Sequence, residues 1–406
     1  MANKIIEFMR RKKGGNKMLS DYTHQEMPTE NGNVLMVRTR PDTVFLVLTV
    51  ILVLIGTIMS FSASTAYAEK LSGNSFSFLT EHLRHLLIAS VVAALATFIV
   101  TPQLARLAAV GVYALSIVLL VAVLVVGITG GGARRWINLG FFTFQPSELA
   151  KTGIIMLLAL YMTKHEDAVM SRGFNRRSIV HGFLVPAAII GLVCVLVGLE
   201  KHFSGIIIIG CIGVAMMFIS GTNFLYFVSC IPVAGLLGFL IMKTGYASAR
   251  VNSWLNRGAD ALGSDWQTTQ GLYAIGTGGL FGLGLGNSRL KYGYVSQPQN
   301  DFVFTVVCEE LGFFGAMAIL ILFLALVWRG FILAAHAADK FCSLVIFGLS
   351  FKLAVHVLLN IGVVTGVLPN TGVALPFFSS GGSATLIQLF DAGIILGLSR
   401  FCTQKQ

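Results

Sequence analysis

Ten stretches of mostly apolar residues alternate with polar connections from residue 44 onward. They lie approximately at 44–64, 84–101, 108–127, 147–163, 179–198, 204–220, 224–243, 302–328, 341–362 and 380–399. A helix of about 20 apolar residues spans the hydrocarbon core of a bilayer and satisfies its own backbone polar groups there. The pattern predicts an all-α polytopic membrane protein of ten spans, with a membrane domain over 44–402. Residues 1–43 are polar and basic, with Arg10, Arg11, Lys12 and Lys13 in a row, and are expected to form a mostly disordered cytoplasmic tail. Residues 403–406 form a short end on the same side. The first apolar run starts too late for a cleaved signal peptide.

Composition agrees with this pattern. The 406 residues are 55% hydrophobic and 12% charged, where a soluble chain carries about 25% charged residues. The net charge of +11 is spread between apolar runs, so it reads as membrane topology and not as a nucleic-acid module. With the N-terminus inside, the inner segments hold 17 Lys and Arg and the outer segments 10, which supports an N-in, C-in arrangement. Six outer basic residues, Arg134, Arg135, Arg250, Arg257, Arg289 and Lys291, concentrate in two loops, 128–146 and 244–301. Such a surface implies an anionic ligand, or pairing with Asp260, Asp265 and Asp301. The six cysteines show no metal or redox spacing and read as small buried apolar groups.

The loop at 244–301 is large for a connector, and loops of this length are usually functional. It contains AIGTGGLFGLGLGNS at 274–288, whose glycines permit sharp bends and close backbone approach. No Walker lysine or strand–glycine–helix context accompanies them, which favours a re-entrant or interfacial segment lying on the bundle. Next come RLKYGYVSQPQNDFVF and CEELG, with Asp301, Glu309 and Glu310 at the seam of polar loop and apolar helix. A carboxylate within a span is costly unless paired or hydrated. Helical spacing sets Asp301, Thr305 and Cys308 on one face and turns the glutamates away from it. Asp301 is thus expected at the water edge, as catalytic group or helix cap, and Glu309 and Glu310 as paired structural groups.

In GGGARRWINLGFFTFQPSELAK, 130–151, Pro146 and Glu148 suit a helix start. Lys151 either pairs with Glu148 or reaches an anion, and Trp136 suits the membrane interface. NIGVVTGVLPNTGVALPFFSSGGSATLIQL, 360–389, predicts an ordered irregular turn, whose Ser379, Ser380 and Ser383 lack partners for a serine triad. Lys352, His356 and Asn360 recur at four-residue intervals along span nine, so they face protein or water.

GARRWI…QPSELAK, DWQTTQGLYAIGTGGLFGLGLGNS, NDFVFTVVCEELG and NIGVVTGVLPNTGVALPFFSSGGSA match, in kind, order and spacing, the motifs of the SEDS family (shape, elongation, division and sporulation), which the chain resembles from about residue 44 onward. FSAS at 61–64 resembles the division and sporulation branches more than the elongation branch. The resemblance implies a peptidoglycan glycosyltransferase that polymerises lipid II, a disaccharide peptide on a polyprenyl pyrophosphate. It would act at the outer face of the bacterial cytoplasmic membrane, at the division septum, beside a class B penicillin-binding protein and other divisome membrane proteins. The family's catalytic aspartate maps to Asp301, as general base, and its basic motif positions map to Arg135, Lys151 and Lys291. Arg134, Arg250, Gln267 and Gln270 stand beside them as groups for the pyrophosphate and sugar. Glu148, Glu309, Glu310, Lys352, Asn360, Ser379 and Ser383 remain as structural or intramembrane polar groups. The chain departs from the family pattern at Gln297, at Ser380 and in KHFSG, 201–205, none of which alters Asp301.

This chemistry suits the residue types. A carboxylate takes the proton of an attacking sugar hydroxyl, while arginines and lysines stabilise charge on the departing pyrophosphate. Lys291 is expected to keep Asp301 ionised. No cofactor is required, and Mg²⁺ or Mn²⁺ is compatible with the pyrophosphate. Two readings from other classes stand beside this one. A lipid II flippase would use Lys352, His356, Glu309 and Glu310 along a transmembrane path. A divisome scaffold would need none of these groups, nor Asp301.

Overall fold

A computed structural model describes residues 23–24, 36–38, 40–130, 133–140, 142–171, 175–243, 245–256, 266–295, 298–337 and 339–403. Helices occupy every predicted span position: α1 Thr43–Ser72, α2 Ser77–Ile99, α3 Pro102–Val126, α4 Pro146–Lys164, α5 Arg176–Leu199, α6 Phe203–Ser220, α7 Phe224–Met242, α10 Val303–Ala335, α11 Lys340–Val364 and α12 Gly382–Ser399. Among the described residues eight of these are long and apolar enough to cross a membrane. The protein is an all-α polytopic membrane protein.

Local chemistry sets the helix ends. Asp42 caps α1 by accepting from Phe45 N at 2.8 Å. Thr101 caps α3 ahead of Pro102, and Asp339 caps α11 through Cys342 N. Burial pushes the Asp42 carboxyl up, but the Arg329 guanidinium, at 3.0 Å, and the Phe45 N–H outweigh it and hold it below the usual carboxylate range. Several helices outrun the apolar windows: α1 continues to Ser72, α2 begins seven residues before position 84, and α10 reaches Ala335. Helical hydrogen bonding continues into the polar interface, where hydropathy no longer marks it.

The connections hold more structure than loops. The 128–146 segment contains three antiparallel strands, β3 Ile128–Gly130, β4 Ala133–Asn138 and β5 Thr143–Phe144. Near the chain ends β1 Thr23–His24, β2 Met36–Arg38 and β6 Phe401–Thr403 form a second small sheet, so strands interrupt the segment expected to be a disordered tail. The 244–301 loop carries two helices, α8 Gly245–Leu255 and α9 Trp266–Gly278. Arg257, Asp260, Asp265 and Gln297 lie outside the described residues.

The glycine run after α9 completes a broken helix. At Gly312, α10 leaves helical geometry with φ 68° and ψ −170°. The freed Glu309 and Glu310 carbonyls accept from Leu283 N and Gly284 N at 2.9 and 3.0 Å. Beyond the break, Phe313 N and Phe314 N donate to the Gly279 and Leu280 carbonyls. Backbone polar groups in a membrane protein need such partners. A Cβ on Gly282 would lie 2.2 Å from the Glu310 carbonyl oxygen, so only glycine fits there. The two carboxylates clamp the same segment. Glu309 accepts from Ser288 Oγ at 2.5 Å and Arg289 N at 3.1 Å, and Glu310 from Ser288 N at 3.1 Å and from Ser62 Oγ of α1. Both are buried and structural in their bonding.

The bundle centre carries a second polar layer. Lys352 on α11 pairs with Asp391 on α12 at 2.7 Å, and Thr152 on α4 donates to the other Asp391 oxygen at 2.7 Å. One helical turn away, Lys151 Nζ lies 2.7 Å from Glu148 and 3.0 Å from His356 Nε2. Opposite charges face each other, which offsets the large penalty for burying each alone. α12 also packs closely on α2, since a Cβ on Gly393 would sit 2.5 Å from the Ala93 carbonyl oxygen. The N-termini of α2 and α12 therefore meet at one end of the bundle.

Candidate active site

At that end lies a cavity of about 890 Å³. Its walls come from the start of α2, strand β4, the α5–α6 corner, α9, the residues preceding α10 and the turn entering α12. Asp301 lines it and is partly buried. Asn360 Nδ2 fixes the backbone here, donating to the Asp301 carbonyl at 2.8 Å and to the Val373 carbonyl at 2.7 Å. Ser380 N donates to the Gln299 carbonyl at 3.1 Å, and Ser380 Oγ to Asn300 Oδ1 at 2.9 Å. The aspartate is thus held between α11 and the α12 turn. Burial pushes its carboxyl above the usual range, and the Arg250 guanidinium on α8 partly offsets this. Arg250 itself donates to the Asn370 carbonyl at 3.0 Å.

Arg135 and Trp136 reach the cavity from β4. Arg135 Nη2 donates to the Lys201 carbonyl at 2.6 Å, joining the hairpin to the α5–α6 corner. That corner turns through Lys201, which holds a left-handed φ of 55°. It places His202 in the wall, 3.2 Å from Ser147 Oγ. Burial first, then nearby Lys151 and Arg135, pulls the His202 imidazole down to about 3, so it stays neutral near pH 7. Beside it, Glu200 is buried with both carboxylate oxygens lacking a hydrogen-bond partner. Burial pushes it up to about 8, against the pull of Arg135.

The chain matches the FtsW/RodA/SpoVE cell cycle protein family over residues 42–404. It belongs to that family. Stage V sporulation protein E of Bacillus subtilis (strain 168) is 38% identical over 372 residues, covering 90% of this chain and 98% of that protein. A probable peptidoglycan glycosyltransferase FtsW of Trichlorobacter lovleyi is 35% identical over 361 residues, covering 88% and 93%. Among solved structures, a chain of a peptidoglycan synthase complex that coordinates polymerization and crosslinking superposes with TM-score 0.72 at 27% identity, covering 89% of this chain and 98% of that one. The rod shape determining protein RodA of Thermus thermophilus gives TM-score 0.65 at 27% identity, covering 89% and 97%.

Within this FtsW/RodA/SpoVE chain, the sequence-expected residues divide into two groups. Asp301, Arg135, Gln267, Ser379 and Ser383 line the cavity, and Arg250 acts on Asp301 from beside it. Arg134 is exposed on β4, and it and Gln270 stand outside the cavity lining. Lys151 is 1% exposed in its pair with Glu148, so it lies behind the wall and not in contact with the cavity. Lys291 does not attend Asp301. It is buried, donates to the Gly286 carbonyl and lies 3.7 Å from Glu310. The motif spacing is kept, but the broken helix takes this lysine for its own clamp, and Arg250 supplies the charge near Asp301. Trp136, expected at the membrane interface, also lines the cavity.

Several functional candidates went unread in the sequence. Asp391 is a lone carboxylate inside the last span, a signal in itself. His82 and His85 line the cavity from α2, His82 just before the apolar window at 84–101 and His85 at its first turn. His202 lay in view in KHFSG, and Glu200 stood beside it at the end of an apolar run.

Proposed function

We propose that this family member polymerises lipid II as a peptidoglycan glycosyltransferase, with Asp301 as general base. One observation carries the reading: Asp301, held by Asn360 and with its proton affinity raised by burial, lines a large cavity that it shares with Arg135 and His202. A base works best with a pKa near the operating pH, and burial shifts Asp301 in that direction. The acceptor sugar hydroxyl attacks the anomeric carbon of the donor and gives its proton to the Asp301 carboxylate. The new glycosidic C–O bond forms as the bond from that carbon to the pyrophosphate oxygen breaks, and the pyrophosphate leaves with the electron pair. Arg135 and Arg250 stabilise the charge that develops.

The basic cavity end faces outward in the N-in arrangement, so the lipid headgroup is used outside. The FtsW and SpoVE names of relatives at 33–38% identity support a role in division or sporulation at a septum. The likeness to a chain of a peptidoglycan synthase complex supports a cross-linking partner of the class B penicillin-binding type. Among the described residues no group of three or more His, Cys, Asp or Glu is arranged for a metal. A divalent cation would therefore take its ligands largely from the substrate's phosphates, as Mg²⁺ often does, and no step is assigned to it. Flipping finds less support, because Lys352 and Lys151 are locked in ion pairs with Asp391 and Glu148.

Purified protein, alone and with a penicillin-binding partner, reconstituted with labelled lipid II separates the two readings. Glycan chains on a denaturing gel support polymerisation. Movement of lipid II between vesicle leaflets without chain formation would replace it with transport.

A further inference from the structure

The cavity wall next to the α10 seam is built from a helix start. Gly381, Gly382, Ser383 and Ala384 line the cavity; Gly381 is the N-cap of α12, an 18-residue helix, and the other three open its first turn. The opening N–H groups of a helix have no acceptor within it, and Gly381 offers no side chain to cap them. Summed peptide dipoles make such an end attractive to anions. Against this end stands the first half of α2. The His85 ring packs onto Gly382, since a Cβ there would lie 2.9 Å from His85 Nδ1, and it meets Phe142 edge-on. His82, one turn earlier, lines the same cavity, is 4% exposed and has both ring nitrogens buried without a hydrogen-bond partner. A buried polar ring left unpaired is costly, a cost that a ligand reaching it from the cavity would remove.

We propose that the α12 N-terminus, the Ser383 hydroxyl and the His82 imidazole form a phosphate-binding subsite for the polyprenyl pyrophosphate of the donor. Three kinds of donor converge there: backbone N–H, hydroxyl and imidazole N–H. Ser380 links this turn to Asn300, next to Asp301, so the subsite sits beside the base. A pyrophosphate held here leaves its sugar carbon on the Asp301 side of the cavity. The subsite rests on the glycosyltransferase reading for its substrate but makes its own demand, because it requires no sugar.

The test is equilibrium binding of a polyprenyl pyrophosphate to the purified full chain in detergent, with the matching polyprenyl alcohol and phosphatidylglycerol as comparison ligands. Wild type is expected to prefer the pyrophosphate over both. His82→Leu and Ser383→Ala should each weaken it about tenfold, the scale of one lost hydrogen bond to a charged group, with alcohol binding and thermal unfolding unchanged. Asp301→Asn should keep pyrophosphate affinity. Equal binding of alcohol and pyrophosphate overturns the subsite, as does full competition by phosphatidylglycerol or wild-type pyrophosphate affinity in folded His82→Leu. Glycan synthesis by wild type, measured in parallel, separates the two claims. Polymerisation with His82-independent pyrophosphate binding removes the subsite alone, whereas His82-dependent binding without polymerisation removes the glycosyltransferase reading and leaves the subsite.

Discussion

At the scale of single residues, two carboxylates near the cavity differ in what holds them. Asp301 has Arg250 as its nearby cation, and burial still lifts it above its ordinary 3.8. A base must be ionised to act, so activity should fall as pH drops through this raised value. Arg250→Ala removes the offsetting charge and should move the acid limb of the pH–rate profile to higher pH; an unmoved limb would dissociate Arg250 from the base. Glu200 has no hydrogen-bond partner for its carboxylate and rises from 4.5 to about 8. Its folded form holds a proton that the unfolded chain releases, so its contribution to stability falls as pH rises from about 4.5 to about 8. Glu200→Gln mimics the protonated side chain, so the thermal midpoint of the variant relative to wild type should rise across that window, and a flat difference would place Glu200 in a more polar setting. Asp301 could be read from its motif because a carboxylate at a loop–span seam is conspicuous. Glu200 could not, since its character comes from burial at a corner that no local pattern announces.

At the scale of elements, the glycine run and the break at Gly312 form one construction. The close-approach segment was legible from its glycines, and the two structural glutamates from helical spacing. That the segment repairs a helix was not legible, because the break is a single glycine inside a long apolar run. Gly282→Ala would push a methyl into the Glu310 carbonyl at a φ of 79° and should destabilise by about 1–3 kcal/mol or more. A Cβ added at Gly276, within α9, would meet nothing within 4 Å. Gly276→Ala should be neutral or stabilise by up to about 1 kcal/mol. Thermal unfolding in detergent measures both, and equal effects would contradict the repaired helix. The β3–β5 hairpin was similarly hidden, as its short strands carry arginines where apolar alternation is usually sought.

At the scale of the whole molecule, hydropathy located the bundle, since bilayer thickness fixes span length. Side-chain pairing between spans was beyond it: Lys352 was visible as a buried cation, but its Asp391 partner lies 39 residues away on the next span. Lys352→Met should destabilise the fold by about 3–5 kcal/mol by leaving Asp391 unpaired. The double variant Lys352→Met/Asp391→Leu should recover most of that loss, and additive losses in a double-mutant cycle would show the pair is not coupled. The central claim is that this bundle exists to present Asp301 as a base to a lipid-linked sugar. Its most direct test is the rate of glycan formation from lipid II by Asp301→Asn beside wild type, in the same membrane with the same partner. The expected variant inserts and binds lipid II but polymerises about 10²–10⁴-fold more slowly. Near-normal polymerisation by Asp301→Asn would contradict the claim, because asparagine preserves size and hydrogen bonding but takes no proton.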